Sequence, residues 1–295
     1  MNARLEVVIQ QALGAEHDVE LAHTSRRGHA TRLAQAAAFR GVDVVAVLGG
    51  DGTLNEAANG LAGTDTALAA LPGGSTNVFA RTLGLPNDPL EAITPLLEAM
   101  GRGDIHRVGL GQVDGRYFLF HLGLGFDAAV VDQVERRGSL KRWMGHPLFI
   151  WSAITTWMRH YDRSEPRFRV RFTDNTSVDD GYFSICLNTN PYTFLGNRPL
   201  DLVPEATLDR GLAMVTMRAL NLRTLVPIAA TALINPARLS KRRGLDIRTD
   251  LEAVVVEAER PLPWQVDGDF LGERSRFVIS HHPEAMRLVL PYSAA

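Results

Sequence analysis

The stretch Val47–Leu61 has the sequence VLGGDGTLNEAANGL, which places three glycines around an aspartate where a strand pattern meets a helix pattern. We predict that the strand ends at Leu48 and that the helix begins just after Thr53. Free backbone N–H groups and the positive end of the helix dipole attract anions at such a junction. Glycines would let phosphate oxygens approach the backbone and would tolerate positive φ. The pattern therefore predicts a nucleotide phosphate site formed by Gly49, Gly50, Asp51, Gly52 and Thr53.

Asp51 is the informative residue of this turn, because a carboxylate would repel a phosphate that it touched directly. Its position makes sense if magnesium, or a network of water molecules, bridges it to the nucleotide. A simpler alternative is a tight turn followed by a helix cap, since Thr53 and Glu56 have the spacing of a capping box. Capping does not require three glycines around an aspartate, so the pattern favours the phosphate site.

A second turn, in Leu71–Pro86 (LPGGSTNVFARTLGLP), repeats the order of strand, glycine pair, hydroxyl residues and helix. On its own, Ser-Thr-Asn before a helix predicts only a cap. Two such turns in adjacent βα units face the same edge of a parallel sheet, which favours a joint nucleotide site. Backbone and side-chain donors could bind phosphate or ribose oxygens there. The candidates are Gly73, Gly74, Ser75, Thr76 and Asn77.

The first hundred residues alternate between helix and strand patterns. Helices are predicted over Arg26–Gly41 and Asp88–Met100, the latter with a proline in its first turn. The continuous apolar run Val42–Leu48 predicts a strand of a parallel sheet that is buried on both faces, and Thr66–Pro72 predicts another strand. This alternation predicts an α/β, Rossmann-like domain over residues 1–105.

The second half has the pattern of antiparallel strands. Apolar and basic residues alternate in Arg167–Asn188 and turn at TDNTS, and further strands are predicted at Leu251–Ala258 and Arg276–His282. Helical segments interrupt them at about 143–161 and 221–234. We expect a β-rich domain, an antiparallel sandwich, over residues 106–283. The last strand, at about 284–295, could pack on either domain.

The composition bounds the class of protein. The chain has 295 residues, of which 45% are hydrophobic, and a formal charge of −2, which gives no general attraction to nucleic acid. Cys186 is the single cysteine, which excludes an internal disulfide and makes a reducing cytoplasm the default compartment. The start lacks a signal-peptide pattern, and the longest apolar run, Trp143–Met158, is too short and polar to span a bilayer. We expect a cytoplasmic protein that is soluble or peripheral at the inner face of the membrane.

The two turns together resemble the catalytic domain of the diacylglycerol kinase family, which includes bacterial lipid kinases, sphingosine kinases and ceramide kinases. Three further segments resemble the family's in the same order: HLGLGFDAAVV (His121–Val131), VPEATLDRGLAMVTM (Val203–Met217) and WQVDGDFLG (Trp264–Gly272). The first turn also resembles, more distantly, those of NAD kinases and phosphofructokinases. The resemblance implies an ATP-binding N-terminal domain and a lipid-binding C-terminal domain. It also implies transfer of the γ-phosphoryl of ATP to a lipid hydroxyl such as that of diacylglycerol, giving a phosphatidic-acid-type product.

The resemblance also implies roles for single residues. Asp267 occupies the position of the proposed general base, and Asp51 and Asp127 match the family's other aspartates. Magnesium would be held by Asp51 and Asp267, directly or through water. Thr24 matches a position near the nucleotide, although a plain N-cap for the following helix explains it equally well. Asp267-Gly268 on its own predicts a hairpin turn.

The chain departs from the family pattern at several positions. Asp269, which we expect to contribute to nucleotide binding, stands where glutamate is usual, and Val78 replaces an aspartate of the second turn. Arg210 stands where bacterial relatives often have an aspartate that holds a structural magnesium, so we expect no metal there and suggest that the guanidinium supplies the positive charge. The Asn-Pro strand that usually begins these proteins is missing, so either the start is truncated or the nucleotide site is incomplete. Arg4–Leu13, at that place, fits a short helix equally well.

The lipid side is less clearly marked. Basic residues lead into an aromatic helix in Arg136–Met158, which suits a membrane interface, although a helix that covers the β-rich domain is an alternative. A second basic cluster, Arg238–Gly244, is a weaker candidate. The resemblance is compatible with a homodimer. A nucleotide- or lipid-binding protein with little catalysis remains the alternative to a lipid kinase, whereas NAD kinases lack the C-terminal Asp-Gly-acid motif.

Overall fold

The computed structural model describes residues 3–126, 128 and 165–291. Asp127 and the basic-aromatic segment 136–158 therefore lie outside the described residues. The chain divides into two compact units. Unit 1 consists of Met1–Val108 and the C-terminal segment from Glu284, and unit 2 consists of Gly109–Pro283. The predicted domain boundary lay at residue 105.

Unit 1 alternates helices and strands, and the predicted α/β class is confirmed. The predicted helices form over His29–Phe39 and Pro89–Arg102, and the ambiguous N-terminal segment is a helix. The elements of this unit are α1 (Ala3–Gly14), α2 (His29–Phe39), β1 (Val44–Gly49), α3 (Asp51–Leu61), β2 (Ala67–Pro72), α4 (Val78–Thr82) and α5 (Pro89–Arg102).

Strands β1 and β2 are parallel, with α3 as the crossover helix between them. Their register runs from Val44 opposite Ala67 to Gly49 opposite Pro72, so the two glycine turns leave the same edge of the sheet. The prediction that β1 is buried on both faces is wrong, since its Ala46 is exposed, whereas β2 is fully buried. The reason is that β1 is at the end of the strand order and has β2 as its neighbour on one side only.

Helix α3 begins at Asp51 with Gly50 as its N-cap, so the prediction of a start after Thr53 is wrong. Gly50 O accepts hydrogen bonds from the backbone N–H groups of Thr53 and Leu54, at 3.0 and 3.1 Å, and the helix starts three residues earlier than predicted. Asp51 therefore lies in the first turn of the helix rather than in the loop before it.

Unit 2 is dominated by antiparallel strands, as predicted. In the strand Phe168–Phe172 the buried and exposed residues alternate. The helix Leu222–Ile234 coincides with the one expected at 221–234. The strands are β3 (Ile105–Val113, which begins in unit 1), β4 (Arg116–Phe118), β5 (His121–Leu124), β6 (Phe168–Phe172), β7 (Ser177–Gly181), β8 (Phe183–Leu187), β9 (Thr193–Leu195), β10 (Arg198–Leu200), β11 (Leu212–Met217), β12 (Leu245–Leu251), β13 (Ala253–Val266) and β14 (Asp269–Val289). Helix α6 (Leu222–Ile234) and a 3-10 helix (Pro236–Lys241) lie between β11 and β12.

The order of neighbouring strands in unit 2 is β14-β13-β5-β8-β11-β12, with β6 paired to β13 and β7 paired to β6. Their inward side chains form one apolar cluster that includes Phe118, Trp264 and Phe277. Strand β14 is long, and its end belongs to unit 1, where Arg287 and Leu288 pair in parallel with Ala67 and Leu68 of β2. The C-terminal strand thus pairs with the strand that precedes the second glycine turn.

Candidate functional site

The two glycine turns of unit 1 pack against each other backbone to backbone. The N–H of Gly73 donates to the carbonyl of Gly49 at 2.9 Å. A Cβ atom on Gly73 would lie 2.7 Å from Gly49 N, and one on Gly74 would lie 2.7 Å from Gly50 Cα. Contacts this short leave no room for a side chain. The close approach of the two turns therefore requires these glycines.

The expected use of positive φ in these turns is wrong. Gly50 has φ −85°, in the extended region, and the other glycines of the two turns are also outside the positive-φ set. The glycines serve the contact between backbones instead. A surface of main-chain atoms without Cβ groups is also what a phosphate needs in order to approach.

Asp51 joins the two turns through its carboxylate. One oxygen accepts the N–H of Val78 and the other accepts the N–H of Phe79, each at 3.0 Å. These are the first two amides of α4, whose own N-cap residue, Asn77, makes no side-chain cap bond. Asp51 thus caps a helix of the neighbouring βα unit with two charge-assisted hydrogen bonds.

Asn77 shapes the second turn from within. Its backbone is left-handed, with φ 50° and ψ 50°, and its side chain is buried. The amide oxygen accepts from Gly74 N at 2.7 Å, and the amide nitrogen donates to Gly74 O at 3.1 Å and to Asn87 at 2.8 Å. Ser75 is exposed and Thr76 is half-buried, so of the three polar side chains these two are the more accessible.

The capping-box alternative for the first turn is wrong, because Gly50 is the N-cap of α3. Glu56 caps α2 instead, accepting from Gly28 N at 2.7 Å and from Ala30 N at 3.1 Å. The N-cap alternative for Thr24 is also wrong, since Gly28 has that position and Thr24 is an exposed residue before it. Gly52 and Thr53 lie in the first turn of α3.

Arg81 is a charged residue of this site that the sequence analysis missed. It lies in α4, where burial lowers the pKa of its guanidinium from the ordinary value while the nearby Asp51 carboxylate opposes that change. A cation close to the two turns can bind phosphate oxygens. Its position within the second motif indicated that it could be near the site, but a helical pattern does not show which side of the helix an arginine faces.

Asp267 lies in the two-residue hairpin between β13 and β14, which confirms the predicted Asp-Gly turn. It has φ 48° and its side chain is buried, with 3% of the residue exposed. Its carboxylate accepts three backbone N–H groups, from Leu119 at 2.7 Å and from Phe120 and His121 at 3.0 Å. The hairpin thus presents a carboxylate that is rigidly held by the peptide before β5.

Asn188 donates hydrogen bonds to the carbonyl groups of the same stretch of backbone. Its backbone N–H donates to Phe120 O at 2.9 Å, and its side-chain amide donates to Leu119 O at 3.0 Å and Gly109 O at 3.2 Å. The residue is 1% exposed. Sequence reasoning missed it because a polar residue after a buried strand is not by itself a signal.

The remaining predicted residues have defined partners or lie outside the described chain. Asp269 is half-buried and forms an ion pair with Arg116 at 3.1 Å. Arg210 pairs with Asp250 at 3.5 Å, and the same carboxylate accepts Gly211 N at 3.0 Å. The guanidinium thus pairs with the carboxylate that accepts Gly211 N. Asp127 is outside the described residues.

The described part of the chain lacks two kinds of feature. Within residues 3–126, 128 and 165–291, no group of three or more His, Cys, Asp or Glu side chains is arranged to hold a metal ion. None of the helices in these same ranges combines the length and hydrophobicity that a membrane span requires. Magnesium needs fewer protein ligands than such a group, because it keeps several water molecules and binds substrate phosphates.

Residues 1–113 match the family model of the diacylglycerol kinase catalytic domain. A diacylglycerol kinase from Bacillus subtilis (strain 168) is 39% identical over 124 residues, which cover 41% of this chain and 40% of that protein. The match thus spans less than two thirds of the relative. A probable lipid kinase, YegS-like, from Pseudomonas aeruginosa is 29% identical over 291 residues, covering 98% of this chain and 89% of the relative.

Solved structures show the same fold. A diacylglycerol kinase from Bacillus anthracis (strain Sterne) has a TM-score of 0.69 at 22% identity, covering 96% of this chain and 91% of its own. An NAD kinase from Archaeoglobus fulgidus in complex with ATP has a TM-score of 0.53 at 12% identity, covering 98% and 90%. The domain match over residues 1–113 and the relatives named diacylglycerol kinase and YegS-like lipid kinase support the diacylglycerol kinase catalytic-domain family for this chain.

Proposed function

We propose that this protein is an ATP-dependent lipid kinase that transfers the γ-phosphoryl group to a lipid hydroxyl such as that of diacylglycerol. The lipid oxygen would attack the γ-phosphorus, the bond from that phosphorus to the β-phosphate oxygen would break, and ADP would leave. The hydroxyl proton would pass to Asp267. The product would be of the phosphatidic acid type. The observation that carries the proposal is the pair of glycine turns that Asp51 ties together, in the part of the chain that matches the diacylglycerol kinase catalytic domain.

The nucleotide side of the proposal uses unit 1. The bare backbone at the first turn, the N-terminal amides of α3 and the Arg81 guanidinium are suited to phosphate oxygens. The exposed Ser75 and half-buried Thr76 would donate from the second turn, with Thr24 near the nucleotide. Asp51 and Asn77 would act mainly by holding the shape of the turns. A solved structure of similar fold is an NAD kinase in complex with ATP, which supports ATP as the nucleotide.

The acceptor side uses unit 2. Asp267 would orient the lipid hydroxyl and take its proton, as the general base of the reaction. Its three backbone donors hold the carboxylate in one orientation, which favours positioning. Asp269, paired with Arg116, would support the hairpin and would contribute its charge to nucleotide binding. The role of Asp127 is a proposal from the family alone.

Magnesium fits the oxygen chemistry of the carboxylates, which is the ligand type that the ion prefers. Asp51 and Asp267 would hold it, directly or through water. When bound, the ion neutralises charge on the phosphoryl oxygens. The described residues contain no complete protein cage for it, so most of its ligands would be water and phosphate.

The proposal extends to the setting of the reaction. A cytoplasmic enzyme acting on a bilayer lipid has to contact the membrane at its surface, and residues 136–158 carry the basic-aromatic pattern suited to that contact. A homodimer is compatible with the family. The proposed domains are an ATP-binding domain over 1–105, which the strand from about 284 would complete, and a lipid-binding domain over 106–283.

The test is phosphoryl transfer by the full chain, with labelled ATP, magnesium and a panel of lipid alcohols that includes diacylglycerol, monoacylglycerol, sphingosine and ceramide. Asp267→Asn should lower the rate by about 10²–10⁴-fold, because loss of a general base has that size of effect. Asp179→Asn is the matched control, since Asp179 is an exposed carboxylate of the same unit. Labelling of any lipid that survives Asp267→Asn unchanged would contradict the assigned base.

A catalytically weak nucleotide- or lipid-binding protein is the second candidate. It is favoured by the engagement of both key carboxylates with backbone amides, together with Val78 and Asp269 in place of the family's usual residues. Binding of ATP without transfer to any lipid in the panel would select this candidate over the kinase.

A further inference from the structure

Helix α6 presents apolar side chains to the outside of unit 2. Ten of its thirteen residues, LRTLVPIAATALI, are aliphatic or proline, yet Thr231 and Ala232 are the buried ones. Leu222, Val226 and Ile234 are 57%, 60% and 80% exposed. A helix that covers a core has the opposite arrangement, with its apolar side chains buried.

The exposed residues form a stripe along one face. Leu222, Val226 and Ala229 follow one another at spacings of four and three residues, which places them on the same side of a helix, with Ala230 beside them. Thr231, nine residues after Leu222, lies on the opposite side at about 100° per residue. The stripe is therefore a continuous apolar surface rather than scattered residues.

Positive charge flanks this stripe along the sequence. From Arg210 to Leu245 inclusive, the sequence has seven Arg or Lys residues and no Asp or Glu, in a chain whose formal charge is −2. Five of the seven are in or directly after α6, and all five are exposed. They are Arg223, Arg238, Lys241, Arg242 and Arg243.

The basic cluster is attached to the helix. Arg242 Nε donates to Thr231 Oγ1 at 2.7 Å, on the inner side of α6, and the Leu239 side chain of the 3-10 helix is buried. Arg198 donates to the carbonyl of Leu233 at 2.8 Å, which adds another cation at the C-terminal end of the helix. The apolar stripe and the cations thus belong to one structural element, named here the α6 surface (residues 222–243 with Arg198).

We propose that the α6 surface docks on an anionic lipid bilayer. Exposed aliphatic side chains gain by entering the boundary between headgroups and acyl chains, and the flanking cations are attracted to anionic headgroups. Because the sequence between Arg210 and Leu245 has cations and no carboxylates, this segment is attracted to a negatively charged surface. The inference builds on the proposed function, since a bilayer is where a diacylglycerol acceptor lies, but its evidence is independent of the nucleotide and acceptor residues.

The experiment is co-sedimentation of the full chain with phosphatidylcholine vesicles that contain or lack phosphatidylglycerol. Binding should require the anionic lipid and should fall as salt rises. The charge variant R238E/R243E should weaken binding at least tenfold, since each cation near such a surface contributes about fivefold. The apolar variant L222S/V226S should weaken it at unchanged charge.

Matched controls test the location of the surface. Arg260→Glu reverses an exposed charge on β13, and Phe39→Ser removes an apolar side chain of α2 that is 94% exposed. Both should bind vesicles like the unmodified chain. Circular dichroism and thermal unfolding of every variant should show the same fold, because the altered side chains are exposed.

Several results would overturn the proposal. These are equal binding to both kinds of vesicle, no effect of the α6 variants, or loss of binding in the controls as well. A stable dimer that V226D disrupts, without vesicle binding, would assign the surface to a second copy.

Transfer to a short-chain, water-soluble diacylglycerol separates this inference from the proposed function. The α6 variants should keep the full rate with that acceptor and lose rate with vesicles. If the unmodified chain binds anionic vesicles but phosphorylates no lipid, the surface stands and the proposed function fails. If transfer occurs but the α6 variants do not affect vesicle binding, the proposed function stands and the inference about the α6 surface fails.

Discussion

The carboxylate of Asp51 accepts the backbone N–H of Val78 at 3.0 Å, across 27 positions of sequence. Val78 is the residue that replaces the family's aspartate in the second turn, and its side chain is buried. Because the contact uses the main chain of Val78, the substitution removes an acidic group without removing the donor that Asp51 requires. The link between the two turns is therefore independent of the side chain at position 78.

This link predicts a loss of stability when Asp51 is changed. Asp51→Ala removes the acceptor of two charge-assisted hydrogen bonds to α4 and should lower the free energy of unfolding by about 2–3 kcal/mol. Asp51→Asn keeps an oxygen for one amide and should cost about half as much. Urea denaturation gives the values, and the affinity for ATP should fall in the same order.

The control for Asp51 is Asp65→Asn, since the Asp65 side chain is 90% exposed and pairs with Arg107 at the surface. It should change stability by less than about 1 kcal/mol. Full stability of Asp51→Ala would mean that the amides of Val78 and Phe79 find other acceptors, and the capping role would be wrong.

The glycine contact predicts that Gly74→Ala is destabilising. The new methyl group would lie 2.7 Å from Gly50 Cα, so the two turns would have to separate, at a cost of about 1–3 kcal/mol. Gly101→Ala in α5 is the matched control, because its Cβ meets no atom within 4 Å. The control should stabilise by about 0.5–1 kcal/mol, as alanine favours the helix. Denaturation midpoints for the two variants should move in opposite directions, and equal midpoints would contradict the contact.

Much of the fold follows from local pattern. The alternation in β6, the proline and glycine that bound α5, and the apolar run of β2 are visible in the sequence and form as expected. The start of α3 and the exposure of Ala46 are not visible in the sequence. The first depends on the contact with a neighbouring turn, and the second depends on the position of β1 at the end of the sheet. Periodicity reports which side of an element is apolar, but not what lies beside it.

The motifs of the site could be predicted from the sequence, but the hydrogen bonds that connect them could not. The glycine turns and the Asp267 hairpin stand out as short patterns. The partners of their carboxylates do not, since Asp267 and Leu119 are 148 residues apart in sequence. Glu56 illustrates the same limit: its spacing from Thr53 indicated a local capping box, while its carboxylate caps α2 instead, 26 to 28 residues earlier.

Asn188 should matter for the acceptor side through the peptide that holds Asp267. Asn188→Ala leaves the buried carbonyls of Leu119 and Gly109 without this donor and should cost about 1–3 kcal/mol of folding free energy. If Asn188 acts as a positioning residue, the rate of phosphoryl transfer should fall while the affinity for ATP is unchanged. Asn197→Ala, at an exposed position, is the control and should alter neither quantity. A variant that loses ATP affinity together with transfer would indicate general unfolding instead.

His281 predicts a dependence of stability on pH. Its imidazole Nε2 is buried without a hydrogen-bond partner among the described residues, and its ring lies against Gly109. Burial, reinforced by the neighbouring His282, lowers the pKa of His281 below its ordinary 6.5, and Asp250 only partly opposes this. The unfolded chain therefore binds a proton more readily than the folded chain, so the free energy of unfolding should fall as pH drops below about 6.5.

The measurement is the urea midpoint at pH 5.5 and 7.5 for the unmodified chain and for His281→Gln. The unmodified chain should be less stable at the lower pH, and the variant should lose part of this difference because its amide does not titrate. His106→Gln, at an exposed position of unit 1, should keep the full difference. An identical pH dependence in His281→Gln and the unmodified chain would show that groups other than the His281 imidazole cause the acid sensitivity.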